Sequence, residues 1–224
     1  MTTTRADQTE ENAEKSAPWR RRLGSAVDAR LQRLQAEYLS GTPHARAALA
    51  KLRRAVGKPA GSVPEVWAYT VALVPAELSW DRDEPSHAEQ AAHAAMTLYA
   101  LHQQAMPVPA HVPGVSFGTA VSRLAASEGS SADAVTRRFM AVATAVSIDE
   151  ILVHVRGLVT QLRGRQLGFD YAKFADDLHL LLNPQYTALV RLSWGRDFYR
   201  TGPDWQQAAP TDREQTSRSD EEEK

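Results

Sequence analysis

The chain has 224 residues, 43% of them apolar and none of them cysteine, so it can bury a core but can form neither disulfides nor thiolate metal sites. The first 17 residues are polar and acidic, and no run approaches the roughly 20 apolar residues of a membrane helix, so a soluble cytoplasmic protein without a secretory signal is expected. The formal net charge of −1 hides a segregation: residues 18–58 hold ten Lys/Arg against two acids, whereas 65–100 and 201–224 are acidic.

In chain order the sequence reads as helix after helix. From Trp19, apolar residues recur at Leu23, Val27, Leu31, Leu34 and Tyr38, a spacing of three and four that stripes one helix face. Thr42-Pro43 supplies an N-cap and a first-turn proline for a second helix, closed by Gly57. Residues 64–73 form a short apolar segment, read as helical, before a loop rich in Pro and Asp. Ser86 and Glu89 form a capping box opening a long helix to about Gln104, and prolines at 107, 109 and 113 forbid its continuation. Further helices are predicted from Phe117 to about Ser127 and from the Ser130–Asp133 start to about Val146. Another runs from the Ser147–Glu150 capping box to about Arg163, one from Asp170 to near Asn183, and a last from Asn183-Pro184 to Tyr199. No stretch alternates with period two for long enough to argue a sheet. The predicted fold is all-α, with about eight to nine helices.

The Pro-rich segment 107–115 is read as a linker between an N-terminal basic helical subdomain, 18–106, and a C-terminal helical bundle, 116–201. The acidic tails, 1–17 and 202–224, are expected to be disordered. Trp194 and Phe198 are expected in the core, and Trp205 beyond the last helix is read as a candidate interface anchor.

Catalytic signatures are missing. His44, His87, His93, His102, His111, His154 and His179 form no zinc-protease pair, and Glu150 and His154 are four apart without a second copy. The histidines are therefore read as surface or interface residues. No Gly-rich phosphate loop or nucleophile elbow occurs, and no cofactor or metal is implied. Asp176-Asp177, flanked by leucines, is read as the solvated face of an amphipathic helix. The chain is not expected to be an enzyme.

The cations carry more information. Of 26 basic residues 21 are Arg, whose guanidinium fork fits phosphate oxygens bidentately. On the second helix Ala45, Leu49, Leu52 and Val56 define the buried face. Lys51 and Arg54 then point away from it with Lys58 just beyond, while Arg46 and Arg53 share a stripe at its border. No acid lies within this helix, so two lanes of cation along it point to a polyanion, with Glu37 or the acidic 77–89 loop as the intramolecular alternative. Arg20, Arg21 and Arg22 open the first helix, where the macrodipole prefers acids. A second set comprises Arg123, Arg137 and Arg138, joined by Arg163 and Arg165 at a helix C-terminus, where cations suit the dipole. Aromatics are not interleaved with these residues, which favours contact with nucleic-acid backbone over base stacking.

Several segments in order resemble the CasB family, the small subunit of the type I-E CRISPR surveillance complex Cascade. They are LYALHQQ (98–104), SFGTAVSRLA (116–125), TRRF (136–139), the Ser-Ile-Asp-Glu helix start at 147–150, LGFDYAKFADDL (167–178) and LSWGRDFYR (192–200). The resemblance implies a non-catalytic subunit with an N-terminal and a C-terminal helical bundle. It also implies two copies stacked head to tail beside the guide-RNA backbone subunits, with the large subunit, the guide RNA and the target and displaced DNA strands as further partners. Arg123, Arg137 and Arg138 fall within matched segments; the N-terminal arginines rest on charge geometry alone. Two other readings stand beside it. One is a helical adaptor docking on an acidic protein surface. The other is a helix-turn-helix regulator with its turn at Ser127–Ser131, disfavoured by the poor base-reading set that follows.

Overall fold

The computed structural model describes residues 22–201, so Arg20, Arg21, Trp205 and both acidic tails lie outside the described residues. Among the described residues the chain forms eight α-helices and no strand. They are α1 (Arg22–Leu39), α2 (Pro43–Arg54), α3 (His87–His102), α4 (Phe117–Ala125), α5 (Ala132–Thr144), α6 (Ile148–Gly164), α7 (Tyr171–Leu181) and α8 (Pro184–Thr201). The apolar segment after α2 becomes three short 3₁₀ turns, Pro64–Tyr69, Val71–Leu73 and Ala76–Leu78, rather than an α-helix. The prolines at 64 and 75 each open a tight turn there, and neither run is long enough to propagate.

Helix starts follow local side-chain chemistry. At α3 both bonds of the capping box form: the Glu89 amide donates to Ser86 Oγ at 3.2 Å, and the Ser86 amide donates to Glu89 Oε2 at 2.7 Å. At α6 only half of the expected box forms, since Glu150 accepts from the amide of Val146 instead of that of Ser147. Ser116, Ser131 and Asp170 cap α4, α5 and α7. Thr42 makes no side-chain cap bond, and α2 relies on Pro43 alone.

The core is centred on α3, whose residues 91–100 are all buried. The run of alanines in it lets α2, α6 and α7 approach from different sides. Over 91–100 the helix has no solvent face, so His93 cannot be a surface residue. His93, His102 and also His111 are buried, which corrects the sequence reading for these three. Burial holds His102 down to about 3, neutral at any working pH, with Nδ1 3.0 Å from the Tyr171 hydroxyl.

The segment 107–115 is strapped down despite its prolines. The amides of Val112 and Phe169 bond the carbonyls of Phe169 and Ala110, both at 3.0 Å, making an isolated parallel bridge. The Gln35 side chain brackets the backbone of His111, accepting from its N–H at 2.8 Å and donating to its carbonyl at 3.1 Å. His111 Nδ1 accepts from the Tyr171 amide at 3.1 Å, so Nε2 carries the proton and donates to Asp28 Oδ1 at 2.8 Å.

The aspartate pair on α7 is the second correction. α7 packs against α1, α3 and α8, which buries Asp177 and leaves Asp176 only partly exposed. Asp177 is buried and accepts from Trp194 Nε1 at 2.7 Å and Lys173 Nζ at 2.9 Å. Asp176 accepts from the Gly24 amide at 2.8 Å. Burial raises Asp176 to about 7, against the pull of that amide. Two glycines permit the close approaches. A Cβ on Gly24 would sit 2.2 Å from Asp176 Oδ2, and one on Gly118 would sit 2.3 Å from the Trp194 carbonyl of α8. Trp194 and Phe198 are buried as expected, in an aromatic cluster with Phe117, Phe139 and Phe174.

Gly118→Ala is expected to destabilise by about 1–3 kcal/mol through overpacking. Gly195→Ala, where an added Cβ meets nothing within 4 Å, should instead stabilise by about 0.5–1 kcal/mol. Denaturant midpoints of the two variants check both signs. For Asp176 the folded pKa lies above the unfolded one, so its stabilising protonation is complete below pH 4 and lost as pH rises towards 7. Asp176→Asn keeps an acceptor for Gly24 and removes that loss. Its Tm should exceed that of the native chain by about 2–8 °C at pH 8, corresponding to about 1–2 kcal/mol, and the gap should close towards pH 4.

Candidate nucleic-acid interface

The amphipathic pattern of α2 is observed, with Ala45, Ala48, Leu49 and Leu52 buried against the core. Arg46, Lys51, Arg54 and Lys58 are exposed and Arg53 is half-buried at the border. The cations then divide by what they touch. Arg54 Nη2 pairs with Glu65 Oε2 at 3.0 Å, from the 3₁₀ turn after α2. Arg22 Nη1 pairs with Glu77 Oε1 at 2.5 Å. The Glu77 carboxyl is lowered by a backbone hydrogen bond first and by Arg22 second. The expectation that such cations lack an intramolecular partner therefore fails for Arg22 and Arg54. Their acids come from later turns, invisible in the helix itself. Both pairs are about half-exposed or more, and exposed pairs of this kind contribute little to stability, so either guanidinium can exchange its carboxylate for a phosphate at little cost.

Arg46, Lys51, Arg53 and Lys58 make no ion pair among the described residues, and neither do Arg123, Arg137, Arg138 and Arg165. Arg163 is different. Its Nη1 donates to Gln104 Oε1 at 3.1 Å and to the Leu101 carbonyl at 3.4 Å, tying α6 to the C-terminus of α3. That placement is structural. Arg165 leaves the end of α6 and lies over the Gly129 turn, away from α2. Arg123 is exposed in the last turn of α4.

The two cation sets that the sequence keeps apart are joined by a residue it did not single out. Arg156 is exposed on α6, and its Nη1 comes within 3.9 Å of where a Cβ on Gly57 would sit, beside Lys58. On the other side Gly157 leaves room for Arg138 of α5, whose Nη1 lies 2.9 Å from the position of a Cβ there. Arg156 on α6 thus lies between Gly57-Lys58, just after α2, and Arg138 on α5, with the exposed cations Lys51 in the last turn of α2 and Arg137 on α5 flanking them; these five make up a cation strip across three helices. The link was hidden because Arg156 has no cationic neighbour in sequence; only the packing of α6 places it beside the end of α2.

Among the described residues no group of three or more His, Asp or Glu could hold a metal ion. No described helix is long and apolar enough to cross a membrane.

Comparison with known proteins adds an independent line. No curated protein matches the chain. Among solved structures, CasB from Thermobifida fusca superposes with a TM-score of 0.65 at 33% identity, covering 79% of this chain and 97% of that one. A Cse2-family protein from Thermus thermophilus superposes at 0.60 with 26% identity, covering 79% and 97%. A chain of a CRISPR RNA-guided surveillance complex shares the fold at 22% identity with a TM-score of 0.63, covering 80% and 94%. The family model for CRISPR-associated protein Cse2 matches residues 48–199, a span running from α2 into α8 and holding every member of the cation strip. The chain belongs to the CRISPR-associated Cse2 (CasB) family.

Proposed function

We propose that this chain is the small, non-catalytic subunit of a type I-E CRISPR RNA-guided surveillance complex, and that its cation strip holds nucleic-acid backbone without reading sequence. The observation that carries the reading is the strip itself: five exposed cations on and beside α2, α6 and α5, without ion pairs among the described residues, with Arg156 packed between the end of α2 and Arg138. Family membership supports the assembly, since one solved relative of the same fold is a chain of such a complex. The partners on this reading are the guide-RNA backbone subunits, the large subunit, a second copy of the chain, the guide RNA and the two DNA strands.

The physical role follows from a balance. Exchanging a DNA duplex for a guide–target heteroduplex is nearly neutral in free energy, so a few phosphate contacts tip it towards the open R-loop. Arginine forks on exposed helix faces suit that task, because they grip phosphate bidentately and ignore the base. Arg46, Arg53 and Arg123 extend the cationic surface beyond the strip. Arg22 and Arg54 join it by releasing their carboxylates.

Five phosphate contacts should give a log–log salt slope of about −3.5 for single strands, at about −0.7 per contact. Arg137→Ala, Arg138→Ala and Arg156→Ala together should flatten it to about −1.4 and weaken binding to DNA and RNA alike, with unchanged helicity. Arg163→Ala should lower Tm and leave the slope alone. Fluorescence anisotropy across a salt series, with circular dichroism alongside, reads both. Absence of binding to single-stranded DNA, single-stranded RNA and duplex, even at low salt, would favour docking on an acidic protein surface.

A further inference from the structure

A cleft of about 240 Å³ lies between α1, the start of α2 and the first 3₁₀ turn, and no member of the cation strip lines it. Arg30, Arg33, Leu34 and Glu37 of α1 form one wall, with His44 of α2 and Ala68 and Tyr69 of the first 3₁₀ turn opposite. The spacing 30, 33, 34, 37 places the four α1 residues on one stripe. The Arg30 guanidinium lies over the Tyr69 ring at 5.8 Å, and the Tyr69 hydroxyl is 3.5 Å from His44 Nε2. Neither Arg30 nor Arg33 has an ion-pair partner among the described residues, although Glu37 is one turn from Arg33.

We infer that this cleft is a binding site for one ribonucleoside phosphate monoester. Each part of such a ligand finds its chemistry there. Two arginines line the space, matching the two charges of a phosphate monoester better than the single charge of a diester. The carboxylate of Glu37 beside them would repel a bare anion. It is explained if it accepts from the hydroxyls of a ribose, as acids do in dinucleotide sites. Tyr69, Leu34 and Ala68 supply an aromatic and apolar wall for the base. Size decides between one unit and several. Sites that enclose drug-sized molecules begin at about 300 Å³, so this smaller, half-open cleft takes at most one nucleotide, part of which lies outside it, and excludes a run of them. It differs from the strip in kind. The strip is a set of exposed helix faces along which a backbone can continue, whereas the cleft is a concavity that holds one unit. This inference goes beyond the strand-holding reading, and the two can fail separately.

The test is isothermal titration of the full chain with AMP, dAMP, adenosine and inorganic phosphate. AMP should bind with a Kd between about 10 µM and 1 mM, and adenosine and inorganic phosphate at least about tenfold more weakly. Arg30→Ala and Arg33→Ala should each cost about tenfold or more in AMP affinity, the loss expected for a charge-assisted phosphate contact. Glu37→Gln should shrink the preference for AMP over dAMP. The strip variant Arg137→Ala/Arg138→Ala should leave AMP binding unchanged, which separates failure of one site from failure of the other. A 5′-phosphorylated RNA oligonucleotide bound more tightly than its 5′-hydroxyl counterpart would identify a strand end as the source. Equal binding of the two, with AMP still bound, would identify a free nucleotide. The inference is overturned if AMP binds no better than inorganic phosphate, or if Arg30→Ala/Arg33→Ala, shown to fold by circular dichroism, binds AMP like the native chain. It is overturned equally if a Glu-rich peptide occupies the cleft and AMP does not.

Discussion

The constraint on which the rest of this molecule depends is the burial of α7. A helix packed against α1, α3 and α8 buries Asp177 and leaves Asp176 only partly exposed, and an ionised carboxylate without partners in such a place would be costly. The solution distributes the burden. Asp176 takes its hydrogen bond from the backbone of α1 at Gly24, and Asp177 takes its bonds from Trp194 on α8 and Lys173 on α7 itself. Each bond forms only in one register of the helices concerned. The pair therefore fixes how α1 and α8 sit on α7, and the glycine at 24 is the geometric condition for the first contact. Buried polar groups of this kind select one arrangement among several that an apolar surface would tolerate.

The same logic extends to the proline segment. Its backbone cannot join a helix, yet it crosses the protein under α1 and beside α7, so its polar groups need partners. Gln35, Gln103 and the backbone around Phe169 supply them, and His111 adds two more bonds through a single tautomer. The consequence reaches the surface. With α1 and α3 tied through this segment to α7, and α6 tied to α3 by Arg163, the helices presenting the cation strip are braced against a common core. A strip made from three helices is useful only if the spacing of its charges is held, because two flexible surfaces would lose in ordering entropy what they gain in contact.

What the sequence disclosed and what it withheld divide along the range of the interactions. The helices and most of their ends were legible because caps, prolines and three-four spacing act within a few residues; Ser86–Glu89 and Asp170 are examples. The charge segregation was legible for the same reason. Apart from the 3₁₀ turns after α2 and the half-formed box at Ser147, the errors concern partners far along the chain. Asp176-Asp177 looked solvated because nothing nearby announces that α1 and α8 will cover it. His93 and His102 looked exposed because an alanine-rich helix reads the same whether one face or every face is buried. Arg22 and Arg54 looked unpaired since their acids arrive with turns fifty-five and eleven residues later. Arg156 was passed over because its neighbours in the strip belong to other helices.

Those long-range pairings also explain why a chain of almost zero net charge can present a cationic face. The acids between residues 65 and 100 do not neutralise the basic region evenly. Glu65 and Glu77 reach back to Arg54 and Arg22, while Glu89 is consumed in capping α3 and Glu84 lies beside Arg82. Lys51, Lys58 and Arg156 are left without a counter-ion among the described residues. At physiological ionic strength the Debye length is about 8 Å, so a distant acid contributes little to the potential at such a site and the local imbalance governs. Net charge is therefore the wrong descriptor for this protein. The local potential is set by which carboxylates the fold has already committed elsewhere.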